Sequence, residues 1–507
     1  MITFCICLIL LISGYFIYGK FTEKVFGASA TRKTPAIAHP DGVDYIPLPG
    51  WKIFMIQFLN IAGLGPIFGA IMGAKFGTAS FLWIVFGSIF AGAVHDYFSG
   101  MISLRHNGES LPSTIGRYLG PHVQRGMRAF TIVLLILVGV VFVSGPADLL
   151  AILTPDSLDA RFWIYAILAY YIVATLFPID KIIGRIYPLF GFALIFMVAG
   201  ILAALFIHFP DIPEITDGLH NRNADAAVNP IFPMMFVSIA CGAISGFHAT
   251  QSPMMARCMT NEMQGRRIFF GAMITEGIVA LVWAAAATYF FSPEGQEYFG
   301  VTDPAINGKA GIIVDKISHG WLGVAGGFLA ILGVIAAPIT TGDTAFRSAR
   351  LIIADFLKIE QKSIGKRLLV SVPMFLVAIP ILLYSVSDKN GFEVIWRYFA
   401  WSNQVLAVIT LWAITVFLRK KGRWYWLMSF IPALFMTSIV VTFFLYSNIG
   451  INMEYGWAVA TGTAFTVTSG WWYMRHLVII GKIKRGIRRS KIMKAKRKWD
   501  KEKRSLS

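Results

Sequence analysis

Apolar residues run along this chain in stretches of about 20, the length that crosses a bilayer, and short polar connections separate them. The pattern predicts thirteen spans, at approximately 2–19, 51–75, 78–103, 127–153, 161–178, 186–209, 231–250, 268–292, 320–346, 368–386, 392–418, 423–447 and 455–480. Loops 20–50, 104–126, 179–185, 251–267, 347–367 and 419–422 and the C-terminal tail are rich in Lys and Arg. The alternate loops contain DIPEITDGLHNRNADAAVNP and SPEGQEYFGVTDP, which lean acidic. This alternation supports the span count and places the N-terminus outside and the C-terminus in the cytoplasm. The longest connections (21–50, 210–230, 293–319) are too short to bury a core. The fold class is therefore an all-α polytopic membrane protein.

Two spans carry an interruption. NIAGLGPIFGA, residues 60–70, holds three glycines and a proline, although each interior glycine costs a helix about 1 kcal/mol and proline removes a backbone donor. Five spans later SIACGAISGFHATQSP, residues 238–253, brings Gly242, Ser245, Gly246 and Pro253 into another apolar run. Discontinuous helices are expected at 60–69 and 242–253. Spans 2–6 and 7–11 then read as two five-helix units of opposite orientation. The chain divides into an extra span and cytoplasmic loop (1–50), repeat 1 (51–209), repeat 2 (231–418), two extra spans (423–480) and a basic cytoplasmic tail (481–507). Irregular backbone at membrane depth is tolerated where it lines a cavity or is buried in protein, and paired interruptions point to a transporter's binding site. The competing reading makes these glycines packing contacts between helices.

Composition and charge narrow the function classes. Charged residues make up 14% of the chain and hydrophobic ones 56%, against roughly 25% charged in soluble domains. Of the net charge of +18, the segment Lys482–Arg504 supplies thirteen Lys/Arg against Asp500 and Glu502, or +11. A basic run just after a last span reads as a topology anchor beside anionic lipid, not as a nucleic-acid surface. Cys5, Cys7, Cys241 and Cys258 form neither a disulfide framework nor a metal pattern. Residues 2–19 have no positive charge before them, while Lys20, Lys24, Arg32 and Lys33 follow, the reverse of a signal peptide. With neither a phosphate-binding loop nor a nucleotide-binding domain in the sequence, the reading is against ATP-driven transport and expects no cofactor.

Ionisable residues inside spans are functional candidates by default. Here they are His95 and Asp96 in span 3, Asp148 near the outer end of span 4, His248 in the span 7 interruption, Glu276 in span 8 and Asp343 in span 9. Neighbours on a helix project about 100° apart, so His95 and Asp96 are not expected to face one small ligand together. In PITTGDTAFRS, Thr340, Thr341, Asp343 and Thr344 cluster after Pro338. Hydroxyls with one carboxylate suit a small hard cation or a proton relay. Alternatively they end a helix, with Asp343 paired to Arg347 at i+4.

NIAGLGPIFGAIMGA, FAGAVHDYFSGMISLRHNGESL, SGFHATQSPMMARCMTNEMQGRRIFFGAMITEG, TTGDTAFRSAR and FAWSNQVLA, in this order over about residues 40–418, closely resemble the carbon starvation protein A (CstA) family. The resemblance implies a bacterial or archaeal inner-membrane transporter of the amino acid–polyamine–organocation superfamily. It also implies nutrient uptake under carbon limitation, usually of peptides, with proton-coupled pyruvate carriers among the relatives. Larger members extend beyond this length. The superfamily's five-plus-five inverted repeat, leucine-transporter-like, agrees with the repeat read from topology, and by that analogy a cation site lies between the span 2 break and the span 9 hydroxyls.

The resulting expectation is a secondary transporter working by alternating access. Ala62, Gly63, Leu64, Gly65 and Pro66, with Ser245, Gly246, His248 and Gln251, line the substrate site. Half-helix N-termini there suit a carboxylate, which peptides and pyruvate both carry. Thr340, Thr341, Asp343 and Asp96 are the ion-coupling candidates for H⁺ or Na⁺; a Na⁺ at Thr340 and Thr341 is the one metal considered. The rival is an intramembrane enzyme or nutrient sensor using His95 and Asp96.

Overall fold

A computed structural model of the chain describes residues 1–176, 183–361, 363–387, 391–422 and 424–475. Among these residues, nine helices are long and apolar enough to cross a membrane, and a tenth span is the bent pair Gly50–Ile61 and Gly65–Ala74. The remaining expected positions hold the shorter apolar helix Ala160–Leu176, an interrupted segment over 231–256 and a helix over 455–475. The end of the last expected span, the basic tail 481–507 and part of the 179–185 loop lie outside the described residues.

Helix ends follow local chemistry. The first helix, Ile2–Phe26, outlasts its apolar run and stops at Gly27, whose φ of 72° and N–H bond to the Glu23 carbonyl make a left-handed C-terminal cap. Lys24 in its last turn complements the helix dipole.

The connections gather at two opposite polar faces. On one, the Ile215 amide donates to Thr3 Oγ1 at 2.9 Å, Thr78 Oγ1 to the Gly218 carbonyl at 3.1 Å and Tyr446 to the Val228 carbonyl at 2.9 Å. On the other, Arg105 meets Glu262 at 3.1 Å, Tyr45 donates to the Asn107 carbonyl at 2.9 Å and Lys421 to the Phe26 carbonyl at 2.8 Å. Alternate loops thus meet one another, as the span parity requires, and the Arg- and Lys-rich ones share a face.

Both expected discontinuities are present. In the second span the two halves meet at 54°. The Ala62 amide still bonds the Phe58 carbonyl at 2.8 Å, but Gly63 turns back onto Ile61 at 2.9 Å, and the ladder resumes with Phe68 on Leu64 at 2.7 Å. In the seventh span the interruption covers 239–247 and helix returns at His248–Ala256. It therefore lies earlier than 242–253, and Pro253 sits inside the second half-helix. The two breaks pack on each other: a methyl group on Gly65 would run into the Cys241 side chain, and one on Gly69 into the Ser238 carbonyl. The glycines are thus packing contacts as well as breaks.

The ninth helix, Ala310–Leu357, bends at Gly323 (φ 66°) and then runs on through Pro338 to Leu357. Thr340–Thr344 consequently lie in mid-helix, which removes the helix-end reading of this cluster. Their hydroxyls donate back along the helix, Thr340 to the Ala337 carbonyl at 2.7 Å and Thr344 to the Thr341 carbonyl at 3.0 Å.

Candidate functional site

Every proposed site residue is buried, but they do not form one site: some fall into two polar clusters and others lie apart from both. The first cluster joins the span 2 break to spans 6 and 9. Thr341 Oγ1 donates to the Leu59 carbonyl at 3.0 Å, at the end of the first half-helix, and lies beside Gly63. Thr340 offers its carbonyl to the Tyr187 hydroxyl at 3.2 Å, and the same hydroxyl donates to Asp343 Oδ2 at 2.6 Å. Asp343 Oδ1 has no hydrogen-bond partner. The span 2 break and the Thr341 hydroxyl of span 9 therefore adjoin. Asp343 thus accepts a hydrogen bond from Tyr187, and Arg347 donates to the Ala174 carbonyl at 2.7 Å.

The second cluster lies between spans 3, 7 and 8. Asp96 Oδ1 is 2.7 Å from His95 Nδ1, and Asp96 Oδ2 is 2.8 Å from His248 Nδ1. His248 Nε2 lies 3.4 Å from Glu276 Oε2. His95 and Asp96 do not diverge to separate partners as the 100° spacing suggests, because the His95 ring folds over onto its neighbour's carboxylate. Asp96 belongs to this cluster and not with Thr340, Thr341 and Asp343.

Ser245, Gly246 and Gln251 are placed differently again. Asn403 in the eleventh helix, Gly391–Lys421, holds the second break: its Oδ1 accepts from the Phe247 amide at 2.7 Å, and its Nδ2 donates to Ser245 Oγ at 2.9 Å. Gln404 Nε2 donates to the Ile244 carbonyl at 3.0 Å. Gly246 permits this approach, since any side chain there would strike the Asn403 and Ala407 backbone. Gln251 turns to span 9, where Ser348 Oγ lies 3.5 Å from its Oε1. His248 and Gln251 thus contact different spans.

Residue-level reading missed four participants. Asn403 and Gln404 stood in FAWSNQVLA without a role. Gln57 and Asn60, one turn before the first break, are fully buried, and neither amide has a hydrogen-bond partner. An amide inside an apolar helix next to an interruption is the signal that could have found them, because a polar group buried without a partner is costly.

The comparisons with known proteins agree with this architecture. The family profile described as "Carbon starvation protein CstA" matches residues 1–153, 151–319 and 307–443. An uncharacterized membrane protein of Haemophilus influenzae is 45% identical over 339 residues, covering 57% of this chain and 91% of that protein. The peptide transporter CstA of Bacillus subtilis is 26% identical over 548 residues, covering 89% of this chain and 91% of its own length. The pyruvate/proton symporter BtsT of Escherichia coli is 27% identical over 356 residues, 57% of this chain and 50% of that protein. Among solved structures, a mutant of the Eremococcus coleocola manganese transporter superposes with a TM-score of 0.52 at 10% identity, covering 87% of this chain and 97% of that chain. That likeness is one of fold alone. By its family match along most of its length, this chain belongs to the carbon starvation protein CstA family, whose members include membrane transporters.

Proposed function

We propose that the chain is a secondary active transporter that takes up a small carboxylate-bearing nutrient during carbon starvation, driven by a cation gradient of H⁺ or Na⁺. A peptide is the first choice of substrate, and pyruvate or another small carboxylate or amino acid the second. The observation that carries the proposal is the seating of one broken helix on the other, Gly65 against Cys241, with the ionisable residues Asp96, His248 and Glu276 grouped where the second break ends. Half-helices start at Gly65 and at His248, and the positive ends of their dipoles favour an anion. The residues Ala62–Pro66 and Ser245–Gly246 bind substrate through backbone, and Gln57 and Asn60 add side-chain donors from the preceding turn. Spans 2–6 and 7–11 act as the inverted repeats, 51–209 and 231–418, that rock about this site. The protein lies in the inner membrane with its basic face cytoplasmic and its N-terminus outside. Relatives named as a peptide transporter and as a pyruvate/proton symporter support both substrate choices.

The deciding experiment uses purified protein in proteoliposomes with imposed pH or Na⁺ gradients and labelled dialanine, alanine and pyruvate. Accumulation above equilibrium supports the proposal. Chemical conversion of a compound without accumulation would instead favour the intramembrane enzyme.

A further inference from the structure

Hydrogen counting in the second cluster goes beyond a choice between H⁺ and Na⁺. An ionised carboxylate only accepts hydrogen bonds. Asp96 meets a ring nitrogen at each oxygen, His95 Nδ1 at 2.7 Å and His248 Nδ1 at 2.8 Å, so with Asp96 ionised both rings carry a proton on Nδ1. A neutral ring of that tautomer has a bare lone pair on Nε2. His248 Nε2 faces Glu276 Oε2 at 3.4 Å; both residues are fully buried, and neither Glu276 oxygen has a hydrogen-bond partner. A lone pair set against a buried carboxylate repels it. The contact becomes attractive only when one proton lies between the two atoms.

That proton has two homes of equal net charge. It is either on His248, giving an imidazolium beside a carboxylate, or on Glu276, giving a carboxylic acid beside a neutral imidazole. Transfer breaks the Glu276 O–H bond as the His248 Nε2–H bond forms, and the pair stays neutral. Loss of the proton leaves a net negative charge next to Asp96 in the membrane interior, which is expensive. Among the described residues, the other titratable groups near the pair are His95 and Asp96 on span 3 and Cys241 in the break. Span 11 contributes the neutral amides of Asn403 and Gln404. Glu23, Arg105, Glu262 and Arg266 lie around Tyr97 toward the basic face.

We propose that the His248–Glu276 pair is the proton-binding site of the transport cycle, holding one proton, and that Asp96 is the positioning residue that fixes the His248 ring. The inference rests on the transporter reading and deepens it. Its link to substrate is the chain itself: His248 opens the half-helix that follows the break, next to Phe247, whose amide Asn403 holds. Glu276 stands on the helix Glu262–Phe290, which has no such break. Movement of the broken segment around a substrate therefore changes the distance across which the proton is held.

Two measurements test this. The first needs no substrate: pH-difference infrared spectroscopy of wild-type protein in liposomes should show the pair losing its proton, as the C=O stretch of a buried carboxylic acid when Glu276 holds it or as an imidazolium ring band when His248 does. Glu276→Gln should remove either band, and Asp96→Asn should shift the pH at which it disappears. An identical spectrum in wild type and Glu276→Gln overturns the inference. The second is uptake of pyruvate and dialanine under a pH gradient, normalised to protein in the membrane. Glu276→Gln should lower accumulation at least tenfold more than it lowers exchange of labelled for unlabelled compound. Equal loss in both, or wild-type accumulation that follows a Na⁺ gradient and ignores pH, overturns the inference and leaves the transporter standing. Failure of wild type to move any compound in any gradient sinks the transporter reading, and with it the cycle to which the site belongs.

Discussion

The hydroxyl of Tyr187 donates to Asp343 Oδ2 at 2.6 Å, joining the sixth span to the ninth across 156 residues of sequence. The bond holds one oxygen of a fully buried carboxylate and leaves the other without a hydrogen-bond partner, two residues along the helix from Thr341, whose hydroxyl adjoins the first break. Asp343→Asn keeps the shape and removes the charge. Gradient-driven accumulation should be lost while exchange partly persists, measured as initial and steady-state uptake at matched protein level. Normal accumulation at normal abundance would refute a coupling role for Asp343. Tyr187→Phe leaves Oδ2 bare as well and should destabilise the protein by about 1–3 kcal/mol, read as a lower melting temperature in detergent.

Asn403 should matter more than its place outside the breaks suggests. It accepts from Phe247, donates to Ser245 and is fully buried. Asn403→Leu strands a buried amide and a hydroxyl, at about 1–3 kcal/mol each, and should release the second break. Limited proteolysis or cysteine labelling of residues 239–247 should speed up, and uptake should fall. Unchanged labelling would show that the break holds its shape without the amide.

Gly65 and Cys241 form a testable pair. Gly65→Ala drives a methyl group into the Cys241 side chain, and overpacking of this kind costs about 1–3 kcal/mol. Cys241→Gly in the same protein should restore much of the loss, giving a coupling energy of about 0.5–3 kcal/mol in a double-mutant cycle. Additive effects would mean that the two half-helices separate when either is changed.

Glu214 provides a pH test on the face opposite the basic one. It accepts from the amides of Ile2 at 2.7 Å and Thr3 at 2.6 Å and pairs with the Met1 ammonium. Burial pushes its carboxyl up, but the bonds from the ammonium, Thr3 and Ile2 outweigh that and hold it down at about 2, against an ordinary 4.5. A carboxylate depressed in the folded state stabilises above the unfolded value, and the contribution fades as pH falls from 4.5 toward 2. The melting-temperature gap between wild type and Glu214→Gln should therefore be constant from pH 7 to about pH 5 and narrow below pH 4.5. Solvent screening keeps the gap small. A gap that widens in acid would exclude this cap.

The orientation proposed for the two polar faces is open to a direct test. Reporter fusions after Arg125 and after Ser507 should read cytoplasmic, and one near Asn221 external. An external reading at Ser507 would remove the odd span count and the inverted repeat together.

The sequence by itself determined that this chain crosses a membrane many times, roughly where each span lies, and that two spans are interrupted. These are local consequences of apolar run length, of the placement of Lys and Arg and of what glycine and proline do to a helix. The ionisable residues inside the spans were legible for the same reason, since a charge in an apolar run stands out by itself. Only the tertiary structure decided their company. Helical spacing sent His95 and Asp96 apart, whereas the rotation of spans 3, 7 and 8 about their axes brought His95, Asp96, His248 and Glu276 into one cluster. Asp343 fell to Tyr187, and Asn403 took the second break from 156 residues away. Such pairings depend on which face each helix turns to its neighbours, a property of the packed bundle that no window of sequence contains. The register of the second break belongs with them: Pro253 reads as a breaker, yet the helix resumes at His248. There the packing of a neighbouring span outweighs the local preference.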